Sequence, residues 1–174
     1  MSAADTAARA LVLAGPMGAG KTSVGRRVSK LLGLSFTDTD KAIAREHGPI
    51  PQIFAQHGEA RFREWEREAV SDALSSGGVV SLGGGAVVDA GTRALLRTVP
   101  VVLLTVSPEA VAARLKETGR PLLDGEEEPV ARWSRILDER REWYEEVADV
   151  TFDTSRTPMA RVAEQIAEWM RGRA

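Results

Sequence analysis

The 174-residue chain contains neither cysteine nor asparagine. Without cysteine it can form no disulfide, offers no thiolate nucleophile and builds no zinc–cysteine site. Without asparagine it lacks the Asn-Lys-x-Asp motif that guanine-reading switch proteins use. The two histidines, His47 and His57, are too few for a histidine-rich metal centre. No apolar run is long enough to cross a bilayer. Met1 to Arg9 is small and polar, with no apolar stretch ahead of it, so no secretory signal is expected. The formal net charge is −2, without the basic surface of a nucleic-acid binder or a disordered acidic tail. No membrane and no nucleic acid are expected as partners, and a cytoplasmic location is the expectation. Most basic residues are arginine, which suits carboxylates and phosphates. The length fits one domain, residues 1–174, with a substantial core. There is no linker, internal repeat or low-complexity tract.

What the chain does have begins at Leu11. Leu11-Val12-Leu13-Ala14 runs into Gly15-Pro16-Met17-Gly18-Ala19-Gly20-Lys21-Thr22 and then Ser23-Val24. An apolar strand, a glycine-rich loop closed by lysine and a hydroxyl, and a helical pattern form the G-x-x-x-x-G-K-[ST] phosphate loop in its proper context. The glycines let the backbone curl until successive N–H groups face phosphate oxygens. Lys21 brings a point charge to the outer phosphates, Thr22 offers a hydroxyl to Mg²⁺, and the helix adds its positive N-terminal end. The chain is expected to bind a nucleoside triphosphate.

Further along, residues 1–8 are a loose, flexible lead-in and residues 9–14 the first strand. Val24, Val28, Leu31 and Leu32 recur at helical spacing from Lys21 to Leu32, and Gly33 ends that helix. A short strand over residues 34–37 stops at Asp38-Thr39-Asp40, followed by a helix from Lys41 to Glu46. Pro51 opens a helix carrying Ile53 and Phe54, and Gly58 precedes a longer one from Glu59 to Leu74. There Glu59, Arg63 and Glu66 share a face, so both acids can contact Arg63. Residues 79–82 form a third strand running into Gly83-Gly84-Gly85. Residues 99–106 form the fourth and most apolar strand, and Ser107-Pro108-Glu109 starts a helix. A mobile flap is predicted at about 118–130, with an acidic run at its end. A helix over 130–147, a fifth strand over 150–152 and a final helix complete the chain. Trp133, Trp143 and Trp169 are read as packing residues. Strands alternating with helices argue for an α/β domain with a parallel sheet, whose ligands sit beyond the carboxyl ends of the strands.

Several residues at those ends can carry chemistry. With a phosphate loop present, one of Asp38 and Asp40 suits a metal-bound nucleotide and the other an acceptor hydroxyl, as orienter or base. Three consecutive glycines, Gly83, Gly84 and Gly85, suggest a backbone that a ligand approaches closely. Ser81 stands where many phosphate-loop proteins keep an acid, which argues against a motor or large ATPase. Arg120, between Gly119 and Pro121 in the flap, is placed to act as an arginine finger in cis.

In this order the motifs resemble the shikimate kinase family. The similarity runs from Leu11 to the last helix. It takes in the phosphate loop, Asp38-Thr39-Asp40, Gly58-Glu59 with Phe62-Arg63 and Glu66, and Leu82 with the triple glycine. Arg120-Pro121-Leu122-Leu123, Arg140 four before Tyr144, and Asp153-Thr154 before Arg156 complete it. The resemblance implies a three-layer α/β/α nucleoside monophosphate kinase-like fold, with a five-stranded parallel sheet in order 2-3-1-4-5 and a mobile lid. It implies transfer of the γ-phosphate of ATP to the 3-hydroxyl of shikimate, with one Mg²⁺ per subunit and a monomer. Gly18, Ala19, Gly20, Lys21, Thr22 and Ser23 would hold the ATP phosphates, with Thr22 and Asp38 at the metal. Arg114, Arg156 and Pro158 would lie near the adenine, and Arg120 would close onto the phosphates. Asp40 would hold shikimate hydroxyls and serve as base. Arg63 and Arg140 would grip its carboxylate, Gly83, Gly84 and Gly85 would approach it, and Phe54 and Phe62 would flank its ring. Lys21, Asp40 and Arg120 form the implied catalytic set.

Two other kinds of protein fit less well. A sugar-acid kinase such as gluconate kinase shares the phosphate loop and an anionic polyol substrate, but is not expected to combine Phe-Arg-x-x-Glu with the triple glycine. A catalytically dead regulatory homologue is not expected to keep Lys21, Thr22, Asp38, Asp40 and Arg120 together.

Overall fold

The structure is a computed structural model describing residues 10–118 and 128–173. Five strands form one parallel sheet: β1 (Ala10–Ala14), β2 (Phe36–Asp38), β3 (Gly78–Ser81), β4 (Val101–Thr105) and β5 (Val150–Asp153). Their spatial order is β2-β3-β1-β4-β5, the expected 2-3-1-4-5 arrangement. The register pairs Leu11 with Val79 and Val12 with Val101, so β1 is flanked on both sides and fully buried.

Because successive strand residues face opposite sides, the apolar runs feed two cores. Leu11, Leu13, Val79, Val102 and Leu104 pack on one face with Val24, Val28, Val162 and Ile166. Ala10, Val12, Val80, Val101 and Leu103 pack on the other with Val70, Leu96, Tyr144 and Val147. Helices cover both faces: α1 (Lys21–Leu32), α2 (Thr39–His47), α3 (Ile50–Ser76), α4 (Ala90–Leu96), α5 (Pro108–Thr118), α6 (Pro129–Val147) and α7 (Met159–Arg171). Gly25 lets α1 lie close against the sheet, since a Cβ there would come within 2.6 Å of the Phe36 ring.

Two boundaries differ from the sequence reading in ways that matter for the site. The helix after β2 begins at Thr39 rather than Lys41, because the Asp38 side chain accepts a hydrogen bond from the Lys41 N–H and caps it. Asp40 therefore sits in the first turn of α2 and not in a strand-end loop. Residues 50–76 run as one continuous element, but Gly58 has φ 80° and ψ 169° and divides it into the two helices expected on either side. A third small core of Ile43, Ile53 and Phe62 ties α2 to both halves of α3. Among the described residues no helix is long and apolar enough to cross a membrane.

Candidate active site

The site lies where β1, β2 and β3 end. β1 runs into the glycine loop, with the backbone of Gly18 and Gly20 at positive φ. The loop is held from several sides. Lys21 Nζ donates to the carbonyls of Gly15 (2.6 Å) and Pro16 (3.0 Å). Arg114 Nη1 donates to the Gly18 carbonyl (2.6 Å), and Thr154 Oγ1 donates to that of Ala19 (2.7 Å). Burial pulls the Lys21 ammonium down to about 8 against the opposing charges of Asp40 and Asp38, with Arg140 adding to the decrease.

The Thr22 hydroxyl donates to Asp38 Oδ2 at 3.3 Å while Asp38 Oδ1 caps α2. One carboxylate thus takes the capping role and the partnership with Thr22, using a different oxygen for each. A hydroxyl beside a carboxylate is the hard oxygen pair that suits Mg²⁺, which keeps waters and substrate phosphates for its other ligands. No cluster of three or more acidic or histidine side chains suited to a metal exists among the described residues.

Beside the loop opens a cavity of about 590 Å³. Its wall includes Asp40, Phe54, Phe62, Arg63, Gly83, Gly84, Gly85 and Arg140, eight residues drawn from four separate segments of the chain. The Phe54 and Phe62 rings lie 4.7 Å apart on one side. Arg63 is held by Glu66 at 2.6 Å and Glu59 at 3.6 Å, as the shared helical face predicted. Glu66 is 1% exposed, and burial pushes its carboxyl up against the lowering influence of Arg63. Arg63 Nε has no hydrogen-bond partner among the described residues.

The triple glycine is small because its neighbours press on it. A Cβ on Gly83 would come within 2.4 Å of Asp40 Oδ1, and one on Gly85 within 2.7 Å of Arg63 Nη2. Thr39, between the two aspartates, donates to the Ser81 carbonyl and accepts from the Gly83 N–H, both at 3.3 Å, so the ends of β2 and β3 are pinned together. Burial, then the charge of Asp38, pushes the Asp40 carboxyl upward, while Lys21 and Arg63 oppose the rise.

The residues assigned to the adenine side lie outside the acceptor cavity wall. Arg114 is bound to the phosphate loop and to Thr154, while Arg156 and Pro158 are exposed just before α7. Arg120 and residues 119–127 of the flap expected at about 118–130 lie outside the described residues, while Thr118 ends α5 and Pro129 and Val130 open α6. Two wall residues gain functions that the sequence reading did not give them. Trp133, read as packing, lines the cavity and donates its indole N–H to the Met17 carbonyl at 2.7 Å. Tyr144, the only tyrosine, donates its hydroxyl to the Gly84 carbonyl. Their spacing to Arg140, seven before and four after, was the available signal, since those steps share a helical face.

Comparison with known proteins covers most of the chain. A family model described as shikimate kinase matches residues 17–171. The shikimate kinase of Xanthomonas campestris is 44% identical over 169 residues, covering 91% of this chain and 93% of that protein. That of Corynebacterium diphtheriae is 44% identical over 157 residues, covering 88% and 90%. Among solved structures, shikimate kinase from Acinetobacter baumannii in complex with shikimate superposes with a TM-score of 0.86 at 36% identity, over 95% of this chain and 94% of that one.

Proposed function

The chain belongs to the shikimate kinase family, and we propose that it transfers the γ-phosphoryl group of ATP to the 3-hydroxyl of shikimate, releasing ADP. The observation that carries this reading is the convergence of Asp40, Arg63, the triple glycine and Arg140 on one cavity beside the phosphate loop. A small cyclic acid with several hydroxyls needs a cation for its carboxylate, an acceptor for a hydroxyl and close backbone approach, and the cavity supplies all three. Bidentate arginine suits the carboxylate better than lysine would.

Catalysis on this site is positioning plus charge stabilisation. The backbone of residues 18–23 cradles the ATP phosphates, and Lys21 releases the Gly15 and Pro16 carbonyls to meet the transferred group. Thr22 and Asp38 would hold one Mg²⁺, which would neutralise phosphate charge when bound. The acceptor oxygen attacks the γ-phosphorus in line, the bond from that phosphorus to the β-phosphate oxygen breaks, and the hydroxyl proton passes to Asp40. Arg120 would complete the charge around the transferred group. A monomer working in the cytoplasm is part of the same reading.

An ADP-release assay with shikimate, gluconate or no acceptor tests it. Release is expected with shikimate and only background release without it. Release with gluconate but not shikimate would overturn the assignment.

A further inference from the structure

We propose that Trp133 is a positioning residue that ties the phosphate loop to the acceptor cavity and so sets the distance across which the phosphoryl group moves. The inference rests on the shikimate kinase reading and concerns a residue outside the substrate contacts described above.

Trp133, Leu137, Arg140 and Tyr144 step along α6 by four, three and four residues, so they form one stripe, and all four line the cavity. At one end of the stripe the Trp133 indole donates to the Met17 carbonyl, joining residues 116 apart in the chain. Met17 immediately precedes Gly18 of the phosphate loop. At the other end the Tyr144 hydroxyl donates to the Gly84 carbonyl of the triple glycine. Arg140 lies between them. One helix, rigid over roughly 16 Å, therefore holds the donor loop, a cation of the acceptor site and the glycine turn in a single register.

The joint is close-fitting. The Met17 N–H nitrogen lies 3.6 Å from where a Cβ on Gly84 would stand, so the donor loop and the acceptor turn are close neighbours at the residue that Trp133 holds. The indole is 3% exposed, which protects the bond from competing water. Besides Lys21, which belongs to the loop itself, Arg114 on Gly18 and Thr154 on Ala19 anchor it from α5 and the segment after β5. Trp133 supplies the tie from the acceptor wall. Indole N–H is also a donor that does not titrate, so the tie holds across the working pH range.

Loosening this tie leaves the groups that contact each substrate in place and changes their mutual placement. A small misplacement of reacting atoms costs rate rather than affinity. Trp133→Phe keeps an aromatic ring in the core and removes the N–H. The expected result is a kcat reduced about three- to tenfold, the worth of one buried hydrogen bond, with KM for shikimate and for ATP each within about twofold of the parent enzyme. A second readout uses hydrogen exchange. Shikimate alone, without nucleotide, is expected to slow amide exchange at Gly18 to Gly20 in the parent enzyme, and this protection should be lost in Trp133→Phe.

An unchanged kcat, or a raised shikimate KM at constant kcat, would overturn the proposal by making Trp133 a cavity wall and nothing more. Should the variant fail to fold, the exchange measurement on the parent enzyme decides: absence of protection by shikimate overturns the proposal. Failure of the functional reading has a different signature, a parent enzyme that shows no shikimate-dependent ADP release.

Discussion

Lys21 offers the sharpest test of the site's electrostatics. Its ammonium is lowered from 10.5 to about 8, chiefly by burial. Only the protonated form can pair with the ATP phosphates, so kcat/KM for ATP in the free enzyme should bend downward near pH 8. By pH 9 about nine-tenths of the enzyme has lost that proton, and kcat/KM should be about tenfold below its plateau. Bound ATP reverses the balance by bringing negative charge against the lysine. The alkaline limb of kcat, which reports the ternary complex, should therefore lie well above that of kcat/KM. Lys21→Arg removes the limb whatever its effect on rate, because guanidinium stays charged throughout this range.

Linkage adds a stability signature. A lysine whose folded value is depressed costs stability below the folded value and is relieved as pH rises toward 10.5. The unliganded fold should thus gain stability between pH 8 and 10.5, by at most roughly 3 kcal/mol. Initial rates at subsaturating and saturating ATP from pH 6.5 to 9.5, with urea melts at the same values, measure both effects. A kcat/KM for ATP that is flat to pH 9.5, or a Lys21→Arg enzyme that keeps the limb at pH 8, would refute the argument.

Two further substitutions probe the scaffold around the site. Glu66→Ala strips the buried partner from Arg63, and the fold should lose about 2–4 kcal/mol in urea denaturation together with a raised KM for shikimate. Glu66→Gln keeps an acceptor for Arg63 and should lose less than half as much; equal losses in the two variants would show that the hydrogen bond is not what matters. Asp89→Ala removes the cap of α4 and the partner of Arg67, neither of which lines the cavity, lowering stability by about 1 kcal/mol and Tm by about 2–4 °C with kcat unchanged. The Arg67 hydrogen bond holds the Asp89 carboxyl down at about 2. Its contribution is therefore complete above about pH 4, and the gap between the two proteins should close as pH falls through 2.

The local parts of this site were readable in the sequence and the long-range parts were not. The phosphate loop is a contiguous eight-residue pattern whose chemistry depends on its own backbone, so residues 15–22 sufficed. The Glu59–Arg63–Glu66 contacts follow from helical spacing alone. The Asp38–Thr39–Asp40 segment was misplaced as structure, because a capping side chain extended α2 back to Thr39. Asp38 both caps α2 and accepts from Thr22, one role for each carboxylate oxygen. Trp133 was the clearest omission. An apolar ring on a helix reads as packing, and the Met17 carbonyl that gives it a second role lies 116 residues away. Arg63 and Arg140 could be paired only through the resemblance, since nothing local in the chain brings α3 to α6.

What the structure adds most directly is a way to tell three neighbouring carboxylates apart. Asp38 is occupied by the Thr22 hydroxyl and the Lys41 N–H. Glu66 is occupied by Arg63 and almost fully buried. The Asp40 carboxylate makes no hydrogen bond among the described residues, lines the cavity and stands against a glycine that leaves it room. Burial raises both Asp40 and Glu66, but Glu66 already has a fixed partner and Asp40 has none. A carboxylate made more basic by its surroundings and left with open acceptor capacity is the one suited to take a hydrogen bond, and then a proton, from an incoming hydroxyl. With Asp38 tied to Thr22 and Lys41 and Glu66 tied to Arg63, Asp40 is the carboxylate left open toward the cavity.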